Sequence, residues 1–250
     1  ARQDNLAPKV VADGRGGSTL QDNWLNEYCP NTASGGNPEK WPTAYARYVE
    51  WMVNLFEPDF VILARRINLF EENCGEVSPG SYGSMLGYAE KAHVALKDAG
   101  SEATTVVSVD VEDLYGYPKS PGRCPSMTPK ECFDSRRSLL EPIVADRVGL
   151  ASNPGSALAA LQELPEDWLS HVHDGLAGKS AVITALGLPA RSVEEKSGVC
   201  VPYIDSSESL QRDFLDQALG LASREEMEFI VWTASRDYFE ADSVGACVCG

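Results

Sequence analysis

The stretch PDFVILARRINLF, Pro58 to Phe70, decides how the rest of the chain is read. Its centre, FVILA from Phe60 to Ala64, is a continuous apolar run bounded by turn signals. A strand with one wet face alternates apolar and polar residues. A strand buried on both faces does not, and such strands belong to parallel sheets covered by helices. Glu57-Pro58-Asp59 stops whatever precedes the run, and Arg65-Arg66 ends it.

Reading upstream, Trp41-Pro42 opens a helix, with proline in the first turn where its missing N–H costs nothing. Tyr45, Tyr48, Val49, Met52, Val53 and Phe56 recur at helical spacing and predict one apolar face. Before that, only Lys9 to Ala12 reads as a short strand, and a Gly- and Asn-rich loop runs from Asp13 to about Lys40. Downstream, a helix is predicted over about Tyr82 to Lys97 and a strand over Thr105 to Val111 (TVVSVDV). Ser135 to Val144 is helical in part, RVGLA from Arg147 to Ala151 is a strand, and Pro165 to Leu176 is a helix. SAVITA from Ser180 to Ala185 is a strand, Ser206 to Leu221 a helix, and EFIVW from Glu228 to Trp232 the last strand. Strand–helix alternation with continuous apolar strands predicts a parallel α/β architecture. No GxGxxG or GxxxxGK[ST] is present, so dinucleotide and P-loop chemistry lack their signatures.

The chain of 250 residues is 43% hydrophobic, an ordinary size and composition for one α/β barrel. Its formal net charge of -16 argues against nucleic acid or an anionic membrane as partner, and no Lys/Arg-rich run offers a local exception. No apolar run reaches the roughly 18 residues of a membrane span. The seven cysteines are Cys29, Cys74, Cys124, Cys132, Cys200, Cys247 and Cys249, and none sits in a CxxC pattern. All are read as lying in loops or in the tail. That usage predicts disulfides and a secreted protein, extracellular or periplasmic. Cys124 and Cys132, bracketing CPSMTPKEC, are the first pair. Cys29 pairs with Cys74 if both loops leave the same face, and Cys200 with Cys247 or Cys249. An odd count leaves one thiol free or paired between chains. His171 and His173 share a helix at i and i+2 and point apart, so no metal site is expected, and no cofactor is.

Three segments carry a resemblance. They are PDFVILARRINLF; SAVITALGLPA, Ser180 to Ala190; and the pairing of SLQRDFLDQAL, Ser209 to Leu219, with EFIVWTASRDY, Glu228 to Tyr238. Together they resemble the fourth strand, the seventh strand, and the last helix with the eighth strand of the clan A glycoside hydrolases, in particular the endo-β-1,4-galactanase-like (β/α)8 barrels. RVGLASNP is similar to that family's sixth strand, and VALKDAG with TVVSVDVEDLYGY to its fifth unit. The resemblance runs from about Trp41 to about Tyr238. It implies a TIM-type parallel (β/α) barrel, one domain over 1–250, with an irregular segment over 1–40 and a Cys-containing tail over 239–250.

The departures from that pattern bear on function. Arg65 and Arg66 stand where the resemblance places Asn and the acid/base Glu, and Ala185 where it places the nucleophilic Glu. Leu188 replaces a Trp of the sugar site. A retaining glycosidase needs two carboxyl groups about 5–5.5 Å apart. Alanine cannot attack an anomeric carbon, and a guanidinium is a poor general acid near neutrality. The expectation is a secreted, non-catalytic barrel acting in glycan binding or in assembly. Its ligand-binding candidates are Asn68, Asp110, Glu112, Tyr115, Tyr117, Asn153, Trp232 and Asp237. Tyr115 and Tyr117, in a Gly/Pro loop, are read as the better exposed rings for stacking on a sugar. A buried guanidinium needs a carboxylate partner, and Asp110, Glu112, Asp113 and Asp237 are the candidates. One alternative is an active hydrolase with relocated acids, drawn from Glu71, Glu72, Asp110 and Glu112. Another is a structural self-assembling subunit. Fewer than eight strands can be placed, so the barrel is expected to be incomplete or remodelled at its first strands. Open sheet edges would then invite homo-oligomeric contacts.

Overall fold

The computed structural model describes residues 10–12, 18–20, 40–69, 81–117, 124, 126–154, 164–188 and 206–232. The candidates Asp237, Glu71 and Glu72 lie outside them, as do Cys29, Cys74, Cys200, Cys247 and Cys249.

β1 (Val10–Ala12) and β2 (Ser18–Leu20) pair antiparallel in a two-stranded sheet of their own. Among the described residues they do not join the main sheet. The main sheet follows α1 (Lys40–Phe56) and contains β3 (Phe60–Ala64), β4 (Thr104–Asp110), β5 (Arg147–Ser152), β6 (Ala181–Leu186) and β7 (Ile230–Trp232). These five strands are all parallel and lie side by side in chain order. Crossovers of one hand that always step the same way place every helix on the same face. The helices between strands are α2 (Ser81–Asp98), α5 (Trp168–Gly175) and α6 (Glu208–Arg224). Between β4 and β5 the described residues include two shorter α-helices, α3 (Val111–Leu114) and α4 (Pro129–Arg136).

The uncovered face must curl on itself, and one contact shows that it does. β4 and β6 are two strand spacings apart, roughly 9.5 Å in a flat sheet. Yet the short hydroxyl side chains of Ser108 on β4 and Thr184 on β6 meet at 2.9 Å above β5. The residue beneath them is Gly149. A Cβ there would lie 2.5 Å from Thr184 Cγ2 and 3.0 Å from Val106 Cγ1. The described strands therefore form a half-barrel whose concave side carries Ser108, Gly149 and Thr184 beside Val106. The convex side carries the apolar core, where Val107, Val109, Val148, Leu150 and Ile183 pack with Ala89, Leu96, Trp168 and Phe214 from the helices. Among the described residues no helix is long and apolar enough to cross a membrane.

Three expectations need correction. The helix expected within Ser135–Val144 starts earlier, at Pro129. Thr128 caps it by accepting from the Glu131 N–H, and Glu131 returns the bond to the Thr128 N–H. TPKE is a capping box, a signal that the sequence carries openly. Cys132 consequently lies in a helix and is buried, not in a loop, although its disulfide with Cys124 is present as expected. Finally, α1 buries Ala46, Val49 and Val53, whereas Tyr48 and Phe56 of the expected apolar face are exposed. The helix docks on α2 through its small and β-branched residues, and bulkier side chains at those positions would hold the two axes apart.

Candidate functional site

The site is the carboxyl end of β3, β4 and β5, where parallel barrels place their reactive groups. The β3 run ends at Ala64, and Arg66 then turns the chain with a φ of 53°. That left-handed conformation costs a non-glycine residue about 1–2 kcal/mol. What holds it is the return of the chain to β4: the Ile67 N–H donates to Ser108 O at 2.8 Å. Asn68 continues the ladder with its side chain. Its Oδ1 accepts from the Asp110 N–H at 2.7 Å, and its Nδ2 donates to Asp110 O at 2.9 Å and to Asp113 Oδ2.

Asp110 ends β4 and is the N-cap of α3, its Oδ1 accepting from the Asp113 N–H at 2.8 Å. Its Oδ2 meets Arg66 NH2 at 2.6 Å. One of the guanidinium groups expected to need a carboxylate has therefore found one of its candidates, while Arg65 is exposed. A second ion pair lies just behind, Arg136 NH2 of α4 to Asp113 Oδ2 at 2.8 Å. Glu112 has no such partner among the described residues. Its carboxyl accepts from the Ser152 hydroxyl and, at 3.2 Å, from the Asn153 N–H, both at the exit of β5.

Burial governs the titration of all three acids. It pushes Asp110 up against the opposing pull of Arg66 and the Asp113 N–H. Burial and then the negative charge of Asp110 push Glu112 up to about 8, with only Ser152 and Asn153 acting the other way. Burial raises Asp113 to about 6, with Arg136 opposing.

The structure brings Arg66, Asn68, Asp110, Asp113, Arg136 and Glu112 into one cluster, but it leaves few of the binding candidates open. Asn68, Asp110 and Glu112 are buried, with their polar atoms turned to protein partners. Tyr115 and Tyr117, expected to be exposed, are 2% and 3% exposed. The reason is the one-turn helix α3, which tucks the segment under the sheet. Tyr115 stacks on Phe133 with ring centroids 5.3 Å apart and donates its hydroxyl to Trp168 O at 2.9 Å. Trp232 is half-buried against Phe214, and Asn153 is exposed. Ala185 pairs with Ala151 of β5 and is buried, and Leu188 is buried with its carbonyl bonded by Gln211 Nε2 at 2.6 Å. Sequence reasoning missed Arg136 and Ser152. Nothing local marks either, since each joins the cluster only through the packing of α4 and β5 on the β4 exit.

A cavity of about 440 Å³ lies at the opposite end of the sheet, lined by Arg147, His173, Lys179, Glu225 and Glu228. His171 and His173 do point apart, toward Asp134 and Glu225 respectively.

Taken by its fold and site, the chain is an α/β protein with a five-stranded parallel half-barrel and a buried, ion-paired carboxyl end. Comparison with protein-family models gives no match, and comparison with curated proteins gives none.

Proposed function

We propose that this chain is a secreted, non-catalytic relative of the clan A glycoside hydrolase barrels, acting through protein contacts as a scaffold. The observation that carries the reading is the Arg66–Asp110 ion pair at the β3–β4 exit. It sits where the resemblance places the acid/base, and the carboxyl it uses is committed to Arg66 and to capping α3. Alanine at position 185 offers no nucleophile on the other side. Secretion is supported by the Cys124–Cys132 disulfide.

Action through contacts, with a second copy as the occupant, is supported by α1. Its solvent face carries Tyr48, Trp51, Leu55 and Phe56, each more than half exposed. Tyr48, Trp51 and Leu55 follow helical spacing and lie opposite the buried stripe of Ala46, Val49 and Val53. Exposed apolar stripes of this kind mark interaction surfaces.

Glycan binding is the second reading, supported by the exposed Asn153 and the half-exposed Trp232 at the strand exits. Two measurements on the full chain separate the two. Sedimentation of wild type and a Trp51→Glu, Leu55→Glu variant is expected to show assembly that the variant loses. Native gels containing galactan, mannan or β-glucan are expected to show no retardation. Monomeric wild type that is retarded by one of these polymers would replace the first reading with the second.

A further inference from the structure

α1 carries its charges the wrong way round for a helix on its own. The amino end of a helix macrodipole is positive, so acids belong in the first turn and bases in the last. The first turn of α1 has no acidic residue and the last turn no basic one. Arg47 lies in the amino half instead, Glu50 in the carboxyl half, and Glu57 directly follows the last turn. Arg47 and Glu57 are exposed and Glu50 is half-buried, and none of the three has an ion-pair partner among the described residues. Beside them Ala44, Tyr48, Trp51 and Leu55 form one exposed line, and their alternating steps of four and three residues are those of a helix-pairing seam. The line has a small residue at its amino end, a branched one at its carboxyl end, and between them the Tyr48 and Trp51 rings with centroids 6.1 Å apart. A line of that shape complements a reversed copy of itself.

We propose that α1 pairs antiparallel with α1 of a second copy, about a two-fold axis between Tyr48 and Trp51. The pairing rests on α1 being a self-association surface and adds its direction. In this register Tyr48 meets Trp51 of the second copy, and Leu55 packs over the other Ala44. Arg47 comes beside the other Glu50, and Glu57 reaches toward the amino end of the opposite helix. The axis makes each contact twice, and each macrodipole end gains the charge that its own chain does not supply. Parallel pairing would align the two macrodipoles, set Leu55 against Leu55 and leave Ala44 facing Ala44. Tyr48, Trp51 and Leu55 are little more than half exposed, so they bring roughly 300 Å² per copy, against the 150–250 Å² of one whole aromatic side chain. That is well under the roughly 800 Å² per partner of a standard interface, so the dimer is weak and reversible, and the charges have a large say in its geometry.

The test is sedimentation equilibrium of the full chain at low salt, over roughly 10–500 μM, the range a weak interface calls for. Wild type should dimerise. Arg47→Glu and Glu50→Arg should each weaken the dimer roughly fivefold or more, because each sets like charges opposite one another at both symmetry-related contacts. The double variant should return to within about twofold of wild type, since it restores opposite charges across the axis. Direction is read separately by photocross-linking of Leu55→p-benzoylphenylalanine. The dimer adduct should fall on the tryptic peptide 41–47, which carries Ala44, whereas a parallel pair would put it on 48–65. Wild type that stays monomeric overturns the pairing together with self-association itself. A dimer that neither charge reversal weakens, or adducts on 48–65, overturns the antiparallel pairing and leaves self-association standing.

Discussion

The two ends of the half-barrel use the same residue types to opposite effect. At the carboxyl end, Asp110, Glu112 and Asp113 are buried and all three titrate above their ordinary values. At the amino end, Asp146 sits below β4. Burial pushes it up too, but the Lys97 ammonium at 2.8 Å and the Thr105 N–H and hydroxyl outweigh that, and it ends below its ordinary value. Nearby, Arg147 meets Glu228 through two bonds, Nε to Oε2 at 2.9 Å and NH2 to Oε1 at 2.6 Å, with both side chains partly in solvent. A carboxylate that keeps its water and gains a cation contributes modest stability. A carboxylate taken out of water holds the structure together only while its partners remain.

The largest effect should come from breaking the buried side of this comparison. Arg66→Ala strands Asp110 without its cation and is expected to cost about 3 kcal/mol in urea unfolding, in the range for a broken buried pair. Reduction of Cys124–Cys132, which closes a loop of sequence separation 8, should cost about 2.5 kcal/mol on the chain-entropy argument. The check is the unfolding midpoint with and without reductant. Gly149→Ala should cost about 2 kcal/mol by overpacking the concave face, and Thr184→Ser, which removes the nearest atom, should recover part of it. The smallest effect belongs to the solvated side, where Arg147→Ala should cost about 0.5 kcal/mol.

Acidity sharpens the same contrast. Folded Glu112 keeps its proton up to about pH 8. Unfolded, it releases that proton near its ordinary value of 4.5. Between those values the folded state binds more protons, so stability falls as pH rises, and it is highest below the window. Asp146 has the opposite sign. Its folded value is depressed, so its contribution is present at neutral pH and lost as pH falls through that value. Melting curves from pH 4 to pH 9 should show Glu112→Gln gaining on wild type as pH rises. Asp146→Asn should lose against wild type at neutral pH and converge with it in acid.

Much of the half-barrel was legible because FVILA, TVVSVDV, RVGLA and SAVITA are long apolar runs with helical patterns between them. Continuous apolar runs report burial on both faces, and crossovers of one hand make neighbours of successive strands. The cluster was legible only as a list. That an arginine at 65 or 66 must meet an acid follows from charge burial alone, and Arg66 meets Asp110. Which acid Arg136 meets does not follow, because it arrives from a helix some twenty residues further on. Tyr115 and Tyr117 were misread for the same reason. A Gly/Pro-rich setting suggests a surface loop, yet Asp110 caps a helical turn that folds both rings inward.

The most direct measurement is reducing-end release from galactan, mannan and β-glucan by wild type at pH 5 and pH 7. The expected result is no release above the protein-free blank at either pH. Release by wild type that disappears in both Asp110→Asn and Glu112→Gln would show that the carboxyl end is an active site and contradict the scaffold reading.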